Sequence, residues 1–137
     1  MDLTVIPSTA LTHAGKFHAD DVFSSALLKL FRPDIVIRRS FTIPESFDGL
    51  VYDIGGGEFD HHQKGAPVRE NGVPYASFGL LWRALGRRLM ERGDPEQAEA
   101  EAARFDEKFV QPLDEDDNTG SGNAIAGLIG LFNPAWD

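Results

Sequence analysis

Residues 51–63 read VYDIGGGEFDHHQ: an apolar run, a carboxylate, three glycines and an Asp-His-His triplet. The apolar run predicts a buried strand that delivers Asp53 to the edge of a sheet. Glycine adopts backbone angles that other residues avoid, so the chain can turn sharply there and return Asp60, His61 and His62 to the strand end. We therefore predict a cluster of carboxylate and imidazole groups at this edge.

A second polar cluster lies at residues 13–21, HAGKFHADD, where another predicted strand passes into a helix. Clusters that follow separate strands can meet at one edge of a sheet. Together the two stretches hold enough oxygen and nitrogen ligands for a pair of divalent metal ions. The sequence therefore predicts a two-metal hydrolase site.

The order of the elements predicts an α/β domain with a central, mostly parallel sheet flanked by helices. Strands are predicted at residues 9–13, 35–38 and 50–54. Helices are predicted at residues 21–32, 78–89, 95–111 and 123–132. Pro112 is predicted to end the third helix, and residues 113–118 to form an acidic turn.

Basic side chains contribute less to the prediction. Lys64 and Arg69 could grip a phosphate, but they lie in the polar loop 63–74, and we interpret them as solvated. The arginines of the second helix are interpreted as a solvated face: Arg83, Arg87 and Arg88.

Composition narrows the classes of protein. The chain has 137 residues, 42% of them hydrophobic, which is enough for one domain with a core. It has no cysteine, which excludes disulfides, thiolate metal sites and a cysteine nucleophile. No stretch approaches the roughly 20 apolar residues of a membrane span, so we expect a soluble, cytoplasmic protein without a membrane partner. The net charge of -9 argues against a broad basic surface for duplex nucleic acid, although bound cations could still attract a phosphate.

Six residues from four segments offer the carboxylate and imidazole mixture that Mn²⁺ accepts: His13, His18, Asp20, Asp53, His61 and Asp114. Asp53, at the end of the most apolar strand, is the natural carboxylate to bridge two ions about 4 Å apart. Asp114 is the weakest of the six, because Asp116 and Asp117 lie beside it and a surface turn would look the same.

These residues also have ordinary structural interpretations. Asp20 and Asp21 could favour the N-terminus of the following helix, where carboxylates offset the macrodipole. His13 could be a hydrogen-bonded residue at a strand end, and Asp53 a turn residue. Independent structural explanations for every cluster are less plausible together than any one alone.

The triplet Asp60-His61-His62 resembles the signature of the DHH phosphoesterase superfamily. Four longer strings resemble the melanocyte-proliferating-gene exonuclease family of predicted metal-dependent hydrolases: THAGKFHADDVFS at 12–24, VYDIGGGEFDHHQ at 51–63, PYASFGLLW at 74–82 and FVQPLDEDDN at 109–118. The resemblance runs from about Thr12 to Trp136 and keeps the four motifs in order.

This resemblance implies a DHH phosphoesterase-like α/β fold with two metal ions, usually Mn²⁺ and alternatively Mg²⁺. By matching motif, one ion would be held by His13, His18 and Asp53. The other would be held by Asp20, Asp53, His61 and Asp114. A water activated by both ions would attack the phosphorus, and the catalytic set would be His62, His61 and Asp60. His62 would face the substrate and stabilise the phosphate charge or protonate the leaving oxygen.

Two departures from the family pattern matter. Family members are about twice this length, so we expect residues 1–137 to form a single catalytic domain that lacks the usual C-terminal domain. Thr119 stands where the family tends to have glycine, which leaves Asp117 as an alternative to Asp114.

The expected function is a manganese-dependent phosphoesterase, a nuclease of the exonuclease type acting on single-stranded RNA or DNA. Two alternatives stay open. One is a small-molecule phosphatase or pyrophosphatase. The other is a shortened, non-catalytic metal-binding module, which could form a homodimer that completes the missing wall. No organic cofactor is expected.

Overall fold

Three parallel strands form one open sheet in a computed structural model that describes residues 1–134. The strands are β1, Thr9–His13; β2, Val36–Ser40; and β3, Leu50–Val51, in the order β2-β1-β3. The parallel sheet with flanking helices confirms the α/β prediction. Trp136, the far end of the family resemblance, lies outside the described residues.

Within residues 1–134, five α-helices follow the strands or connect them: α1, Ala19–Phe31; α2, Ser77–Met90; α3, Ala98–Phe105; α4, Gln111–Thr119; and α5, Ala124–Gly130. A short 3₁₀ turn, Pro95–Gln97, precedes α3, and Asp94 caps it by accepting the backbone N–H of Glu96. A π-helical turn, Asp106–Val110, joins α3 to α4. Across residues 1–134, none of the helices combines the length and apolar character needed to cross a bilayer.

The core lies between the sheet and helices α1 and α2. Strand β1 is central, and its Leu11 is fully buried. Leu28 of α1 and Leu81 and Leu85 of α2 are buried without measurable exposure. Burying one such leucine contributes about 1.5–3 kcal/mol, so this packing fixes the sheet edge that carries the polar clusters.

The predicted acidic turn at residues 113–118 is wrong, because these residues belong to α4. Pro112 lies in the first turn of α4, directly after the π-helical turn, where the backbone hydrogen-bond pattern already changes. The helix ends instead at Gly120, whose φ of 70° is the left-handed conformation that terminates helices. As a result, Asp114 and Asp117 lie one helical turn apart rather than in an irregular loop.

Strand and helix boundaries differ slightly from the predictions. Strand β3 ends at Val51, because Asp53 adopts a φ of 59° and cannot continue the ladder. Strand β2 continues to Ser40, and α1 already begins at Ala19. These shifts place the polar clusters in loops directly after β1 and β3.

Two arginines interpreted as solvated are structural. Arg69 is buried, with 8% of its surface exposed, and it pairs with two carboxylates. Arg88 donates to the backbone carbonyls of Leu3 and Thr4, and so it anchors the N-terminal segment to α2. Each of these two guanidinium groups therefore contacts protein groups far away in the sequence instead of water. A local sequence pattern does not reveal such partners.

Candidate metal centre

Three groups of His and Asp side chains gather where β1 and β3 end: His13, His18 and Asp21; Asp53, His61 and His62; and Asp20, His61 and Asp117. Within each group the candidate ligand atoms lie within 4.8 Å of one another. The first cluster comes from the loop after β1 and the start of α1, the second from the loop after β3. Helix α4 supplies Asp117. The two sequence clusters therefore converge, as predicted from their positions after parallel strands.

His13 lies at the end of β1 and contacts two carboxylates. Its Nε2 atom is 3.1 Å from Asp21 Oδ2 and 3.1 Å from Asp53 Oδ2. Its Nδ1 donates to the Ala14 carbonyl at 3.0 Å, which fixes the ring and directs Nε2 to the carboxylates. In the metal-free chain the carboxylates of Asp21 and Asp53 raise the pKa of His13 to about 10.

His18 is the more open member of this group. Its side chain is 59% exposed, its ring lies 5.5 Å from that of His13, and its Nδ1 is 3.9 Å from Asp21 Oδ2. The backbone N–H of His18 donates to Asp21 Oδ2 at 2.8 Å, so the start of α1 fixes the chain at this point. The exposed side chain is accessible to a ligand in the cleft that it lines.

His61 is buried and belongs to two of the three groups of candidate ligands. Its Nε2 atom lies 3.0 Å from Asp117, 3.4 Å from Asp20 and 3.4 Å from Asp53. Burial lowers the pKa of this imidazole, but the three carboxylates outweigh that effect and raise the pKa to about 12. One imidazole among three carboxylates requires a proton or a metal cation to balance the charge.

The ring orientation of His61 is fixed by a hydrogen bond at its other ring nitrogen, Nδ1. Its Nδ1 donates to the side-chain carbonyl of Asn118 at 3.1 Å. The Asn118 amide has a defined orientation, because its Nδ2 donates to the backbone carbonyls of Asp114 and Tyr75 at 2.8 and 3.2 Å. This arrangement is typical of metal-binding histidines, in which one ring nitrogen is held by an oxygen and the other binds the ion.

Two buried atoms here lack hydrogen-bond partners within the described part of the chain: Asp53 Oδ1 and His61 Nε2. Buried polar atoms are normally paired, because an unpaired one costs about 1–3 kcal/mol. Both atoms are chemically suited to bind a divalent ion, and they lie 3.4 Å apart. The donor set therefore fits a metal ion.

Asp53 lies between the two histidines. Its Oδ2 contacts His13 and its Oδ1 lies near His61. Burial raises the pKa of Asp53, but the neighbouring imidazoles of His13 and His61 outweigh burial and hold the pKa well below its usual range. Its left-handed backbone, with a φ of 59°, is tolerated by aspartate better than by most residues, and it turns the carboxylate into the centre.

Asp20 has a second contact besides His61. Its carboxylate accepts the backbone N–H groups of Phe78 at 2.7 Å and Ser77 at 3.1 Å, at the start of α2. Asp20 thus lies in the first turn of α1, as its structural interpretation expects, and its carboxylate also contacts the N-terminus of α2. Burial raises the pKa of Asp20 to about 8, and a nearby cation would favour the ionised form of this carboxyl.

Asp60 positions His62. One Asp60 oxygen accepts from His62 Nδ1 at 2.6 Å, and the other accepts the backbone N–H of Gly56 at 2.7 Å. Gly56 has a φ of 72°, so the glycine turn is what brings its N–H to Asp60. The His62 side chain is 60% exposed, and its Nε2 remains available to a bound molecule.

Asp114 lies outside the three groups. Its carboxylate accepts from Arg69 at 2.9 Å and from the backbone N–H of Gly79 at 3.2 Å. A Cβ at position 79 would collide with this carboxylate, so glycine is needed there. Asp117, one turn further along α4, lies beside His61 instead. The structure thus brings Asp117, and not Asp114, to the histidines.

Arg69 explains why Asp114 is buried. Its guanidinium donates to Asp106 at 3.0 and 2.7 Å as well as to Asp114, and it lies over the Tyr75 ring at 4.1 Å. These contacts join the loop before α2 to the π-helical turn and α4. The cluster is structural, and it places α4 so that Asp117 reaches His61.

Sequence reasoning did not assign two residues of the site. The sequence indicates only a helix-start role for Asp21, which its bond from the His18 N–H supports; in addition Asp21 contacts His13 and accepts from Arg39 Nη1 at 2.9 Å. Arg39 lies on β2, next to β1 in the sheet, and also contacts the Phe17 ring at 4.2 Å. The adjacent pair Asp20-Asp21 was the only local signal for Asp21, and nothing near Arg39 in the sequence indicated its partner.

The centre opens to solvent through a cleft of about 340 Å³, lined by His13, His18, Asp53, His62 and Asp117. We call this the metal cleft. It exposes residues from all three groups to one space, so a molecule that enters can contact them together.

The model of the MYG1 exonuclease family, described as an uncharacterised protein family (UPF0160), matches residues 9–135. The chain is 28% identical to the MYG1 protein of Dictyostelium discoideum, over 94% of this chain and 47% of that protein. It is 30% identical to the MYG1 exonuclease of Mus musculus and 27% identical to that of Homo sapiens, in both cases over 78% of this chain and 34% of the relative. The chain thus spans less than half the length of these relatives. No solved structure is a significant match to it.

Proposed function

The chain belongs to the MYG1 exonuclease family, and we propose from this and from its histidine–aspartate centre that it is a metal-dependent phosphoester hydrolase, a nuclease of the exonuclease type. One observation carries the metal part of the proposal. His61 Nε2 is buried among Asp20, Asp53 and Asp117 without a hydrogen-bond partner in the described chain, an arrangement that a cation would stabilise.

We assign the ligands from the matching motifs and from the contacts of His13 and His61. His13, His18 and Asp53 would hold one ion, and Asp21, which lies in one group with the two histidines, would position His13 and the start of α1. A second group holds the other ion: Asp20, Asp53, His61 and Asp117. Asp117 takes the place expected for Asp114, because Asp114 is bound to Arg69.

Manganese is the proposed metal, with magnesium as the second choice, because Mn²⁺ accepts imidazole as well as carboxylate. When bound, such ions supply Lewis-acid activation of water and neutralise phosphate charge. The excess of carboxylates at the centre also argues for bound cations, since these carboxylates alone would repel an anionic substrate.

The residues of the chain have separate tasks. Asp60 holds His62 through Nδ1, so that the exposed Nε2 can donate a hydrogen bond to a phosphoryl or leaving oxygen. Proton transfer by a positioned histidine contributes typically about 10²–10⁴-fold to rate. Asn118 and the Ala14 carbonyl keep His61 and His13 in the orientation that directs Nε2 to the centre.

The proposed substrate is a single strand of RNA or DNA. The relatives named exonuclease support a nucleic-acid substrate, and the metal cleft of about 340 Å³ is too small to enclose a duplex. The net charge of -9 fits a site that attracts phosphate through bound ions rather than through a basic surface.

The test is cleavage of end-labelled single-stranded RNA and DNA by the purified chain with Mn²⁺ or with a chelator. Asp53→Asn is expected to lower the rate at least 100-fold, whereas the exposed-site control Asp48→Asn keeps it. Cleavage that persists in chelator, or equal rates for the two variants, would contradict the proposal.

A further inference from the structure

We propose that a second cleft, between the Phe17 loop and α5, binds a nucleoside of the substrate while the neighbouring phosphate lies in the metal cleft. This cleft has a volume of about 330 Å³. We call it the α5 cleft, and the residues that line it include Phe17, His18, Asp116, Asp117, Gly127 and Asn133. The proposal rests on the proposed function and names the part of the substrate that this surface receives.

The α5 cleft and the metal cleft share two lining residues, His18 and Asp117. Both residues belong to the candidate metal centre. A phosphoester whose phosphate contacts the centre therefore has its organic part directly beside the α5 cleft.

The carboxylates that line the α5 cleft favour an uncharged group over a phosphate. Asp116 and Asp117 are among its lining residues, and none of the residues that line it is a lysine or arginine; Arg39 lies behind the Phe17 wall and pairs with Asp21. A further phosphate in this position would meet the Asp116 carboxylate, which is not among the proposed metal ligands. A sugar and a base carry no charge, so the cleft fits a nucleoside better than it fits a chain of phosphates.

Two opposite walls of the α5 cleft, at Phe17 and at Gly127, offer surfaces that a nucleoside could contact. Arg39 lies over the Phe17 ring at 4.2 Å, and the side chain is still 43% exposed, so its exposed surface can stack on a base. On the opposite helix, a Cβ added to Gly127 would meet nothing within 4 Å, so the backbone of α5 borders open space there. Asp116 uses Oδ1 to accept the backbone N–H groups of Gly122 and Asn123, and its second oxygen can accept from a sugar hydroxyl.

Asn133 fixes the position of the Phe17 wall. Its side-chain oxygen accepts the Phe17 N–H at 2.7 Å, and its side-chain nitrogen donates to the Phe17 carbonyl at 2.7 Å. These paired bonds join the segment after α5 to the loop that carries His18. The two walls of the α5 cleft are therefore connected to each other and to the metal centre.

The size of the cleft limits its occupant. About 330 Å³ is at the lower end of the range of roughly 300–1,000 Å³ for ligand pockets. Such a space accommodates one nucleoside but not a base pair. This agrees with a single-stranded end as the substrate.

The test compares the binding of adenosine 5′-monophosphate and inorganic phosphate to the full 137-residue chain in Mn²⁺. Wild type is expected to bind the nucleotide at least tenfold more tightly than phosphate. Gly127→Leu fills the α5 cleft and should remove that difference while phosphate binding stays unchanged. Leucine has a higher helix propensity than glycine, so α5 is expected to remain folded. Ala124→Leu, at an exposed position of the same helix outside the cleft, is the matched control and should behave like wild type.

A second variant tests the opposite wall. Phe17→Ala is expected to weaken nucleotide binding about tenfold and to leave phosphate binding unchanged. Equal affinity of wild type for nucleotide and phosphate, or full nucleotide affinity in Gly127→Leu, would overturn the subsite.

Turnover separates this proposal from the proposed function. If wild type binds the nucleotide preferentially but cleaves no oligonucleotide, the α5 cleft stands and the nuclease proposal fails. If wild type cleaves oligonucleotides and Gly127→Leu cleaves them equally well, the subsite fails and the nuclease proposal stands.

Discussion

The Nε2 atom of His61 lies 3.0 Å from Oδ2 of Asp117, which joins the loop after β3 to helix α4. Asp114, one turn earlier on the same helix, is held instead by Arg69. The two aspartates therefore have different tasks: Asp117 faces the candidate metal centre and Asp114 stabilises the fold. Separate substitutions can distinguish them.

Asp117→Asn is expected to weaken Mn²⁺ binding at least tenfold, because it removes a charged ligand from the group around His61. The free energy of unfolding in chelator should stay within about 1 kcal/mol of wild type, since Asp117 is half-buried and lies among other carboxylates. Calorimetric metal titration and urea unfolding measure the two quantities. Asp116→Asn, at the neighbouring position, is the matched control for metal binding. An equal loss of Mn²⁺ affinity in both variants would contradict the assignment of Asp117 as a metal ligand.

Arg69→Met is expected to destabilise the chain by about 3–5 kcal/mol, because it leaves the carboxylates of Asp114 and Asp106 without their cation. Urea unfolding in chelator measures this loss. Arg83→Met, at an exposed position that also contacts the Tyr75 ring, is the control and should cost less than about 1 kcal/mol. Similar stability of both variants would mean that the buried arginine cluster does not hold α4 in place.

Asp60→Asn is expected to lower the cleavage rate about 10- to 100-fold while Mn²⁺ affinity changes less than threefold. The neutral amide introduced at position 60 is a weaker acceptor for His62 Nδ1 than the Asp60 carboxylate. The imidazole therefore loses its fixed orientation. Single-turnover kinetics and metal titration on the same preparation separate the two effects. A parallel loss of metal affinity would instead make Asp60 part of the metal site.

The metal-free chain is expected to lose stability as the pH rises from about 7 to 10. The folded chain raises the pKa of His13 from 6.5 to about 10 through the carboxylates of Asp21 and Asp53. A raised pKa stabilises the fold fully below the unfolded value of 6.5, and this contribution disappears as the pH rises through about 10. The expected loss is on the order of 1–2 kcal/mol, because solvent screens this half-buried pair.

Urea unfolding in chelator at several pH values measures that loss. His13→Asn should show a flatter profile between pH 7 and 10, since it carries no titrating ring at this position. A wild-type profile as flat as that of the variant would contradict the charged His13–Asp21–Asp53 contact.

Several features were predictable from short-range patterns. Apolar runs identified β1 and β3, and polar residues directly after both strands identified Asp53 and His13 as neighbours. A parallel sheet forces such strand ends to the same edge, so the convergence follows from topology. Whether these residues bind metal stays a prediction, as does membership of the wider DHH phosphoesterase superfamily.

Other features depend on contacts that no local pattern reveals. Arg69 and Asp114 are 45 residues apart in sequence, so a basic residue in a polar loop and an acid after a proline appeared unrelated. The π-helical turn before Pro112 allowed α4 to begin where a helix end was predicted. The matching motif gave Asp114 as the expected ligand with Asp117 as its alternative, and in the structure Arg69 holds Asp114 while Asp117 lies beside His61.

The central claim is that side chains from four segments hold divalent ions around Asp53. Calorimetric titration of the metal-free chain with Mn²⁺, wild type against Asp53→Ala, tests this claim most directly. The account predicts two ions for each wild-type chain, and the loss of at least one ion or a 100-fold weaker affinity in the variant. No binding by wild type, or the same stoichiometry and affinity in Asp53→Ala, would contradict it.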